Sequence, residues 1–547
     1  MNDKDALERY YNAHKTEIWL GYNSRNYDTY ILKGILCGFD PKEINDFIIV
    51  RGMKGWQFST LFRQFPLYDF DVGSIFHGLK QLEAFMGNDI RETSVPFNID
   101  RKLTPAEIAE TVKYCTHDVE QTIEVFLRRK VEFDAHLALI KMFGLHISNI
   151  SKSQAQLAAI ILGAKRNDTH DEWAIRLPDT LRLSKYKYIA DWFVNPESHD
   201  YKKSLDAVVA GVPHTFAWGG VHGAIDKYSY VCGPDEMMIM ADVSQLYPCL
   251  MLVYHLLSRG VPEEGYKILK DTIDTSIRLK AEGKKKEREP YKRFNNIIYG
   301  AEGDSTNPMY DPLHRNLVCV YGQVLILDLI EKIEPYIVKL IQSNTDGIFF
   351  LIKAKDFDLI DDIVYAWEKR TGLTMTFDNY IKVVQKDVNN YIVVDAKGKY
   401  KSKGAYVKEL NDIDNDLPIV NKAITDYLVK EVPVERTIEE CSDLIQFQKV
   451  VKVSNKYAFA KWNNNRLQDK TFRVFASKNP TDGYIGKCKR EGATVEKFAN
   501  TPERCFIRNE SVVGVSVPPD LDRQWYINLA KKRLSDFGVD EQLKFEV

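Results

Sequence analysis

The chain has 547 residues, more than one hydrophobic core organises, so several domains are expected. Its residues are 44% hydrophobic and 28% charged, with a formal net charge of −2, which is typical of a soluble globular protein. No apolar stretch is long enough to span a bilayer, and the polar N-terminus lacks the apolar core of a signal peptide. The eight cysteines form no Cys-x-x-Cys pair, which argues against a zinc ribbon, an iron–sulfur cluster or a disulfide framework. These features predict a cytoplasmic protein with no membrane partner.

The near-neutral charge is mild evidence against a nucleic-acid-binding protein, although its distribution matters more than its sum. Residues 278–293 and 397–404 are strongly basic. Each run alone fits an ordinary solvated face. Two such runs in a near-neutral chain indicate local anion-binding surfaces.

The pattern before residue 150 alternates between strands and helices, as in an α/β domain. Residues 17–22 are typical of a short strand, and residues 27–38 have helical spacing that ends at Gly38. A longer helix is predicted to start at Thr104, because Pro105 suits the first turn and Glu107 completes a capping box.

The rest of the chain is mostly helical to a glycine-rich break at 216–226, and becomes rich in strands from about 375. Between these points the pattern predicts a buried strand, a basic helical region and two apolar helices, at 237–242, 263–300, 319–341 and 357–371. The last predicted element is a helix over 521–538.

A predicted hairpin at 341–350 places Asp346 in its turn, next to Gly347. Asp-Gly is a common turn pair, so turn chemistry alone explains this carboxylate. A second carboxylate, Asp242, ends the buried strand 237–241. Two carboxylates on adjacent strand ends can hold two divalent cations, which activate a 3′ hydroxyl and stabilise departing pyrophosphate.

Between the two carboxylates lies the segment "YKRFNNIIYG" at 291–300. On a helix, Lys292, Asn296 and Tyr299 share one face. This face would suit a triphosphate and a base pair, and the alternative is a surface helix with one partly buried tyrosine.

Together these motifs resemble family B DNA polymerases. "DVSQLYP" at 242–248, "KRFNNIIYG" at 292–300 and "NTDG" at 344–347 are similar to that family's motifs A, B and C, in the same order. "WGG" at 218–220 precedes them, and "NNY" with "KSKG" follows them, as in the family. The closest resemblance is to polymerases of bacteriophages, which implies the cytoplasm of a bacterial or phage-infected cell.

The resemblance implies an α/β multi-domain fold shaped like a right hand, with an N-terminal RNase-H-like domain of exonuclease type. The palm would contain an antiparallel sheet that holds both carboxylates, and the fingers would be helical. The implied domains are a truncated exonuclease-like domain at 1–150, a helical connection at 151–214, a palm at 215–262 and 300–405, fingers at 263–299 and a thumb at 406–547.

The resemblance also implies roles for individual residues. Asp242 and Asp346 would be the catalytic ligands of two Mg²⁺ ions, with the Val243 carbonyl completing the set and Mn²⁺ able to substitute. The residues that would bind the incoming dNTP are Gln245, Leu246, Tyr247, Arg278, Lys292, Asn296 and Tyr299. The residues that would contact primer-template DNA are Gly219, Gly220, Tyr391, Lys401 and Lys403.

Within this set, Tyr247 resembles the steric gate that excludes a ribose 2′ hydroxyl, and Arg278 would reach the γ-phosphate. Replisome proteins are further candidate partners.

Four positions depart from the family pattern. Gln245 and Gly347 stand where the family has Ser, Ile297 also replaces a Ser, and Asn344 replaces the first Asp of motif C. Because the second Asp of motif C survives as Asp346, we expect an active centre with an altered rate or fidelity.

Residues 23–28 and 114–118 resemble the second and third exonuclease motifs of the family, with Asn23, Asp28, Tyr114 and Asp118 as the matching residues. The first motif should lie upstream of Asn23, and the sequence starts too late to contain it. The segment "YDFDV" at 68–72 offers Asp69 and Asp71, but it follows Asn23 instead of preceding it, so it is interpreted as a structural strand. Two carboxylates leave a two-metal site short of ligands, so we expect no proofreading.

The leading hypothesis is therefore a template-directed DNA polymerase. A catalytically silent DNA-binding or replisome scaffold protein is the alternative, motivated by the altered motif C. A stand-alone nuclease is a third reading, which the incomplete exonuclease site disfavours.

Overall fold

The computed structural model describes residues 3–73, 76–96, 99, 101–404 and 406–539. The chain divides into two compact units. Unit 1 consists of residues 1–151, 410–423 and 432–530, and unit 2 consists of residues 152–409, 424–431 and 531–547.

The N-terminal part of unit 1 combines a two-stranded parallel sheet with six helices. In chain order these elements are α1 Lys4–His14, β1 Ile18–Gly21, α2 Asp28–Cys37, α3 Pro41–Asn45, β2 Tyr68–Asp71, α4 Leu79–Phe85, α5 Pro105–Arg128 and α6 Lys130–Met142. The predicted signals act as expected, since α2 ends at Gly38 in the left-handed conformation and α5 begins with the Thr104–Glu107 capping box. Residues 68–71 form strand β2, as predicted for the "YDFDV" segment.

Within residues 152–409, unit 2 contains seven α-helices and eleven strands among the residues that are described. In chain order its elements are α7 Gln154–Ile161, α8 Lys187–Val194, β3 Ser204–Val209, β4 Val212–Ala217, β5 Gly220–Ala224, β6 Tyr228–Val231, β7 Glu236–Val243, α9 Leu246–Val253, α10 Glu263–Ala281, α11 Lys285–Glu302, α12 Pro312–Ile333, β8 Lys339–Asn344, β9 Gly347–Lys353, α13 Phe357–Thr371, β10 Met375–Tyr380, β11 Lys382–Asp387, β12 Asn390–Val394 and β13 Tyr400–Lys403.

Two sheets organise unit 2. The larger has seven strands in the order β10-β7-β9-β8-β5-β4-β3, and the smaller has four in the order β13-β12-β11-β6. Every pair in both sheets is antiparallel. Helix α12 is buried along nearly its whole length, which explains its continuous apolar sequence. The predicted antiparallel sheet that carries both Asp242 and Asp346 is therefore present.

The C-terminal elements of the chain include two further small sheets, of the orders β14-β17-β20 and β16-β15-β18-β19. Their elements are α14 Pro418–Lys430, α15 Val434–Glu439, β14 Lys449–Lys452, β15 Phe459–Trp462, β16 Asn465–Arg466, β17 Thr471–Ala476, β18 Ile485–Cys488, β19 Glu496–Lys497, β20 Cys505–Ile507 and α16 Arg523–Asp536. The fully buried Arg473 of β17 donates to the carbonyl oxygens of Ala84 and Asn88, each at 2.9 Å. Unit 1 thus joins segments that are remote in sequence.

Two expectations about secondary structure need correction. The region 151–214, expected to be helical, contains strand β3 and the start of β4, joined by a turn in which Ala210 and Gly211 have positive φ. The predicted helix 319–341 ends at Ile333, and its last residues belong to β8. In both cases, backbone pairing in a sheet outweighs the local helical preference.

The thumb implied for 406–547 stays a prediction, and its residues are divided between the two units. Residues 410–423 and 432–530 cluster with residues 1–151, and 540–547 lie outside the described residues. In the described part of the chain, none of the helices combines the length and apolarity needed to cross a membrane.

Candidate active site

The two candidate metal ligands lie at the same end of neighbouring antiparallel strands. Asp242 pairs with Gly347 in the β7–β9 ladder, and the Val243 N–H donates to the Asp346 carbonyl oxygen at 2.7 Å. Met238, Ile239, Met240 and Ala241 of β7 are buried, so the strand is fixed up to the point where Asp242 emerges. The sheet therefore brings together two carboxylates that are 104 positions apart (346 − 242).

The Asp346 side chain projects from a tight turn. Strand β8 ends at Asn344 and β9 starts at Gly347, so Thr345 and Asp346 form the two-residue turn. Asp346 is exposed, whereas the following residues Ile348 and Phe349 are buried. The predicted hairpin is thus present, and its turn presents a carboxylate beside Asp242.

A cavity of about 530 Å³ adjoins this turn in unit 2. Its lining contains most residues that the sequence assigned to the nucleotide. The lining residues are Gly219, His222, Val243, Gln245, Leu246, Tyr247, Pro248, Arg288, Lys292, Asn296, Asn344, Thr345 and Asp346.

Helix α11 contributes one polar face to this cavity. Arg288, Lys292 and Asn296 follow one another at intervals of four residues, which places them on one side of the helix. The Arg288 Nε donates to the Ser276 hydroxyl at 3.3 Å, which fixes the stem of this side chain against α10. Arg288 was not among the residues predicted from the sequence, although its spacing of four residues from Lys292 places it on the same helix face.

The structure does not bring Arg278 into this cavity. It lies near the end of α10, where its side chain is 60% exposed and pairs with Glu282 at 3.1 Å. The arginine that lines this cavity is instead Arg288.

Tyr247 lines the cavity, whereas Tyr299, which the sequence also assigned to the nucleotide, does not line it and packs against Tyr247. The rings of Tyr247 and Tyr299 lie 4.3 Å apart between centroids, at an interplanar angle of 36°. The Arg315 guanidinium lies 5.5 Å from the Tyr299 ring centroid. Burial raises the pKa of both tyrosines well above the ordinary value, so both hydroxyls stay protonated at neutral pH.

Gln245 connects the strand that bears Asp242 to the two helices α10 and α11. It adopts the left-handed conformation, with φ of 50°, just before α9. Its Oε1 accepts from the Asn295 side chain at 2.8 Å, and its Nε2 donates to the Ile273 carbonyl at 3.4 Å. The departure from the family's Ser therefore has a structural consequence, because a serine is too short to make both contacts. The adjacent Leu246 is buried against α12 near Gly322.

The electrostatic environment of Asp242 is mixed. Burial raises its pKa, the Lys401 ammonium at 3.9 Å from its Oδ2 lowers it, and the neighbouring Asp346 raises it again. Lys401 also lies 4.0 Å from Asp378 on β10. The structure thus places Lys401 beside a candidate metal ligand, a position that the sequence did not predict.

The other residues assigned to DNA are divided between the two sheets, with Gly220 on β5 of the larger sheet and Tyr391 and Lys403 on the smaller one. Gly219 lines the cavity, and Gly220 follows it with a φ of 139°. Tyr391 pairs with the exposed Lys403 across β12 and β13. Burial raises the pKa of Tyr391 to about 12, and its ring belongs to a hydrophobic cluster with Met240 and Phe349.

His222 is a second cavity residue that the sequence reasoning missed. It pairs with Asn344 across β5 and β8. Its pKa is lowered by burial and by Lys403, while Asp346 raises it. Its position in the sequence, two residues after Gly220, is the feature that could have indicated its place near the site.

The carboxylate pair fits a site for Mg²⁺, judged by its donor chemistry. Asp242 and Asp346 supply hard oxygen atoms at one strand end, beside a cavity that carries Lys292 and Arg288 for an anionic substrate. The described residues contain no cluster of three or more His, Cys, Asp or Glu side chains arranged for a metal. Mg²⁺ usually takes its remaining ligands from water and substrate phosphates, so two carboxylates are compatible with it.

Two of the four candidate exonuclease residues line a different cavity, of about 470 Å³, in unit 1. Asp28 and Asp118 both line it, together with the buried Asp69 of β2. The Asn23 N–H donates to the Asp71 carboxylate at 2.8 Å, which holds the loop before α2.

Asp118 has a cationic partner. The Lys80 ammonium lies 2.9 Å from Asp118 and 3.0 Å from the buried Glu83. It also lies 4.8 Å from the ring centroid of Tyr114. Lysine thus neutralises the carboxylate for which the sequence suggested a metal.

No protein-family model matches the chain. Over 226 residues it is 28% identical to DNA polymerase 1 of Saccharolobus solfataricus, a match that covers 40% of this chain and 23% of that protein. Over 197 residues it is 24% identical to DNA polymerase 1 of Sulfolobus acidocaldarius, which covers 35% of this chain and 21% of the relative. The matched stretches therefore span less than a quarter of either relative's length.

Among solved structures, the chain is similar to a family B DNA polymerase from Pyrobaculum calidifontis. The TM-score is 0.41 at 13% identity, and the alignment covers 98% of this chain and 71% of the other. The sequence relationship to DNA polymerases, predicted from the motifs, is confirmed by the two archaeal relatives. The bacteriophage type stays a prediction.

Proposed function

We propose that the chain is a template-directed DNA polymerase of family B that adds dNTPs to a primer 3′ end. The observation that carries this proposal is the meeting of Asp242 and Asp346 at one strand end, beside a cavity lined by Tyr247, Lys292 and Asn296. The sequence relationship to archaeal DNA polymerases supports it independently.

On this proposal, each part of the cavity has a role. Lys292 and Arg288 bind the triphosphate through charge-assisted hydrogen bonds, and Asn296 orients it. Tyr247 lies under the incoming sugar, backed by Tyr299. Asp242 and Asp346 hold the divalent ions, which when bound neutralise the phosphates and activate the 3′ hydroxyl.

The proposed arrangement assigns the seven-stranded sheet to the palm and α10 with α11 to the fingers. The basic residues Lys401 and Lys403 of β13 would contact the primer-template, giving salt-dependent binding that is independent of sequence. Replisome proteins would be further partners.

We also propose that this chain does not proofread. The support is the ion pair between Asp118 and Lys80, in which a lysine ammonium lies 2.9 Å from the carboxylate and would compete with a cation for it. The N-terminal domain would then serve as a structural or DNA-binding module.

Primer extension with Mg²⁺ and all four dNTPs tests the proposed activity. Asp346→Asn keeps the shape of the turn and removes the charge, so extension should disappear. Asp235→Asn is the matched control, because Asp235 lies just before the opposite end of β7, 74% exposed and paired with Lys353. This control should extend primers at the wild-type rate.

The alternative function is a catalytically silent DNA-binding scaffold. Its support is the replacement of two motif C positions by Asn344 and Gly347. If the wild type binds DNA but extends no primer with either Mg²⁺ or Mn²⁺, the scaffold function is favoured. Asp346 would then be explained by its place in the turn alone.

A further inference from the structure

Lys401 lies on the edge strand β13 of the smaller sheet, and its side chain is directed toward the larger sheet. It stands opposite Val393 of β12, so the two side chains share one face of the smaller sheet. Val393 packs in a buried cluster that also contains Met240 of the larger sheet. The register of β13 therefore directs Lys401 toward the strand that ends at Asp242.

The larger sheet presents two carboxylates to this lysine. Thr376 of β10 pairs with Asp242 and Asp378 pairs with Met240, so Asp242 and Asp378 share one face of that sheet. The Lys401 Nζ lies 3.9 Å from the Asp242 Oδ2 and 4.0 Å from the Asp378 Oδ2. The ammonium thus lies between a candidate metal ligand and a carboxylate that the proposed metal site does not use.

The Lys401 ammonium is held loosely at this position. Both distances exceed roughly 2.7–3.2 Å, the donor–acceptor range of a hydrogen bond. Among the described residues, its hydrogen-bond partner is the Met240 sulfur at 3.7 Å, and a thioether is a weak acceptor. The Lys401 side chain is 49% exposed. The ammonium can therefore turn to a stronger acceptor outside the chain, such as a phosphate oxygen, without breaking a buried contact.

The same ammonium affects the binding of a divalent cation at Asp242. Like charges at this separation repel each other, so a lysine that stays beside Asp242 competes with a cation for the carboxylate. On the proposed function, Lys401 also contacts the primer-template, whose phosphates attract ammonium groups. Movement of Lys401 toward a phosphate draws its charge away from Asp242.

We infer that Lys401 transfers its ammonium from Asp242 to a backbone phosphate when DNA binds, and that this release makes Asp242 available to a divalent cation. This inference rests on the proposed polymerase function. Lys401 acts as a positioning residue, since it controls Asp242 without touching the reacting atoms. Binding of DNA and binding of the cation then strengthen each other by the same factor, as linkage requires.

Lys401→Met tests the inference, because it removes the ammonium and keeps most of the side-chain length. Mn²⁺ alone is titrated into the full chain and followed by the EPR signal of the free ion, with and without a dideoxy-terminated primer-template. No dNTP is present, so the readout does not depend on turnover. The relevant Mn²⁺ site is the one that Asp242→Asn removes.

Without DNA, Lys401→Met should bind Mn²⁺ at this site about fivefold more tightly than the wild type does, the factor that corresponds to one half-exposed ion pair. With DNA bound, the two proteins should bind Mn²⁺ equally, because Lys401 has then left Asp242 in the wild type. Primer-template should therefore raise the Mn²⁺ affinity of the wild type about fivefold more than that of Lys401→Met.

Two further variants serve as controls. Lys353 pairs with Asp235 and Glu236 at the opposite end of β7, at 3.1 Å from each carboxylate. Lys353→Met removes the same charge from unit 2 and should leave the Mn²⁺ affinity unchanged in both states. Lys401→Arg keeps a cation at the position and should retain the effect of DNA seen in the wild type.

Two results would overturn the inference. One is equal Mn²⁺ affinity of the wild type and Lys401→Met without DNA. The other is a difference between them that persists with DNA bound, because Lys401 would then stay beside Asp242. Failure of the proposed function is distinguishable from both, since the wild type would then extend no primer and would have no Mn²⁺ site that depends on Asp242.

Discussion

The Val243 N–H donates to the Asp346 carbonyl oxygen across 2.7 Å, joining the residue after one candidate metal ligand to the backbone of the other. This bond fixes the end of β7 against the turn between β8 and β9. The relative position of the two carboxylates is therefore set by the sheet ladder, which is rigid compared with a loop.

The first prediction concerns Gly347, which stands opposite Asp242 in this ladder. A Cβ at residue 347 would lie 2.1 Å from the Asp242 Oδ1 and 3.0 Å from the Ala241 carbonyl oxygen. Gly347→Ala should therefore displace the Asp242 carboxylate and lower the extension rate by about a hundredfold, the effect of roughly a 1 Å misplacement. Steady-state extension kinetics measure this.

A matched control is Gly233→Ala, because a Cβ there meets no atom closer than 3.4 Å. It should extend primers like the wild type. Unchanged kinetics in Gly347→Ala would show that the observed position of Asp242 is not required for catalysis.

The second prediction separates two arginines. Arg288 lines the cavity, whereas Arg278 is exposed and paired with Glu282 outside it. Arg288→Ala should raise the KM for dNTP roughly tenfold or more, since a lost charge-assisted contact costs about 1.5–3 kcal/mol. Arg278→Ala should leave KM unchanged. The opposite pattern in single-nucleotide incorporation would restore Arg278 as the phosphate ligand.

The third prediction concerns Glu302, which is fully buried in unit 2. Its Oε1 accepts from the Ser258 N–H at 2.6 Å, and its Oε2 has no hydrogen-bond partner among the described residues. Burial raises the pKa of this carboxyl well above its ordinary value. Above the unfolded pKa, the unfolded state releases the proton and the folded state keeps it, so stability falls as pH rises toward the folded pKa.

Glu302→Gln removes this titration. The melting temperature of Glu302→Gln relative to that of the wild type should therefore increase as the pH rises above the ordinary carboxyl range, where the wild type loses stability. Thermal unfolding at a series of pH values measures the difference, with the exposed Glu197→Gln as control. A difference that does not change with pH would show that Glu302 does not titrate abnormally.

The fourth prediction concerns Asp118 in unit 1. Because the Lys80 ammonium pairs with it at 2.9 Å, Asp118→Asn should not change 3′–5′ digestion of a mismatched primer with Mg²⁺. A labelled-primer degradation assay measures this directly. Strong digestion by the wild type that Asp118→Asn abolishes would establish a working exonuclease site and contradict the proposal.

The ends of several helices and strands could be predicted from the sequence alone. Thr104, Pro105 and Glu107 specified the start of α5, Gly38 the end of α2, and the apolar run before Asp242 the buried strand β7. These signals are local, because capping, turn formation and burial depend on residues a few positions apart. The motif order also predicted the relationship to DNA polymerases.

Which charged side chains lie next to one another depends on the fold of the whole chain. The sequence does not show that Arg288 lines the cavity while Arg278 lies outside it. It also does not show that Lys401 lies beside Asp242, or that Lys80 lies beside Asp118. The fold also places residues 410–423 and 432–530 in the same unit as residues 1–151, although their position after the palm motifs had suggested a separate thumb. Such contacts arise from long-range strand pairing and helix packing, whose partners local sequence preferences leave undetermined.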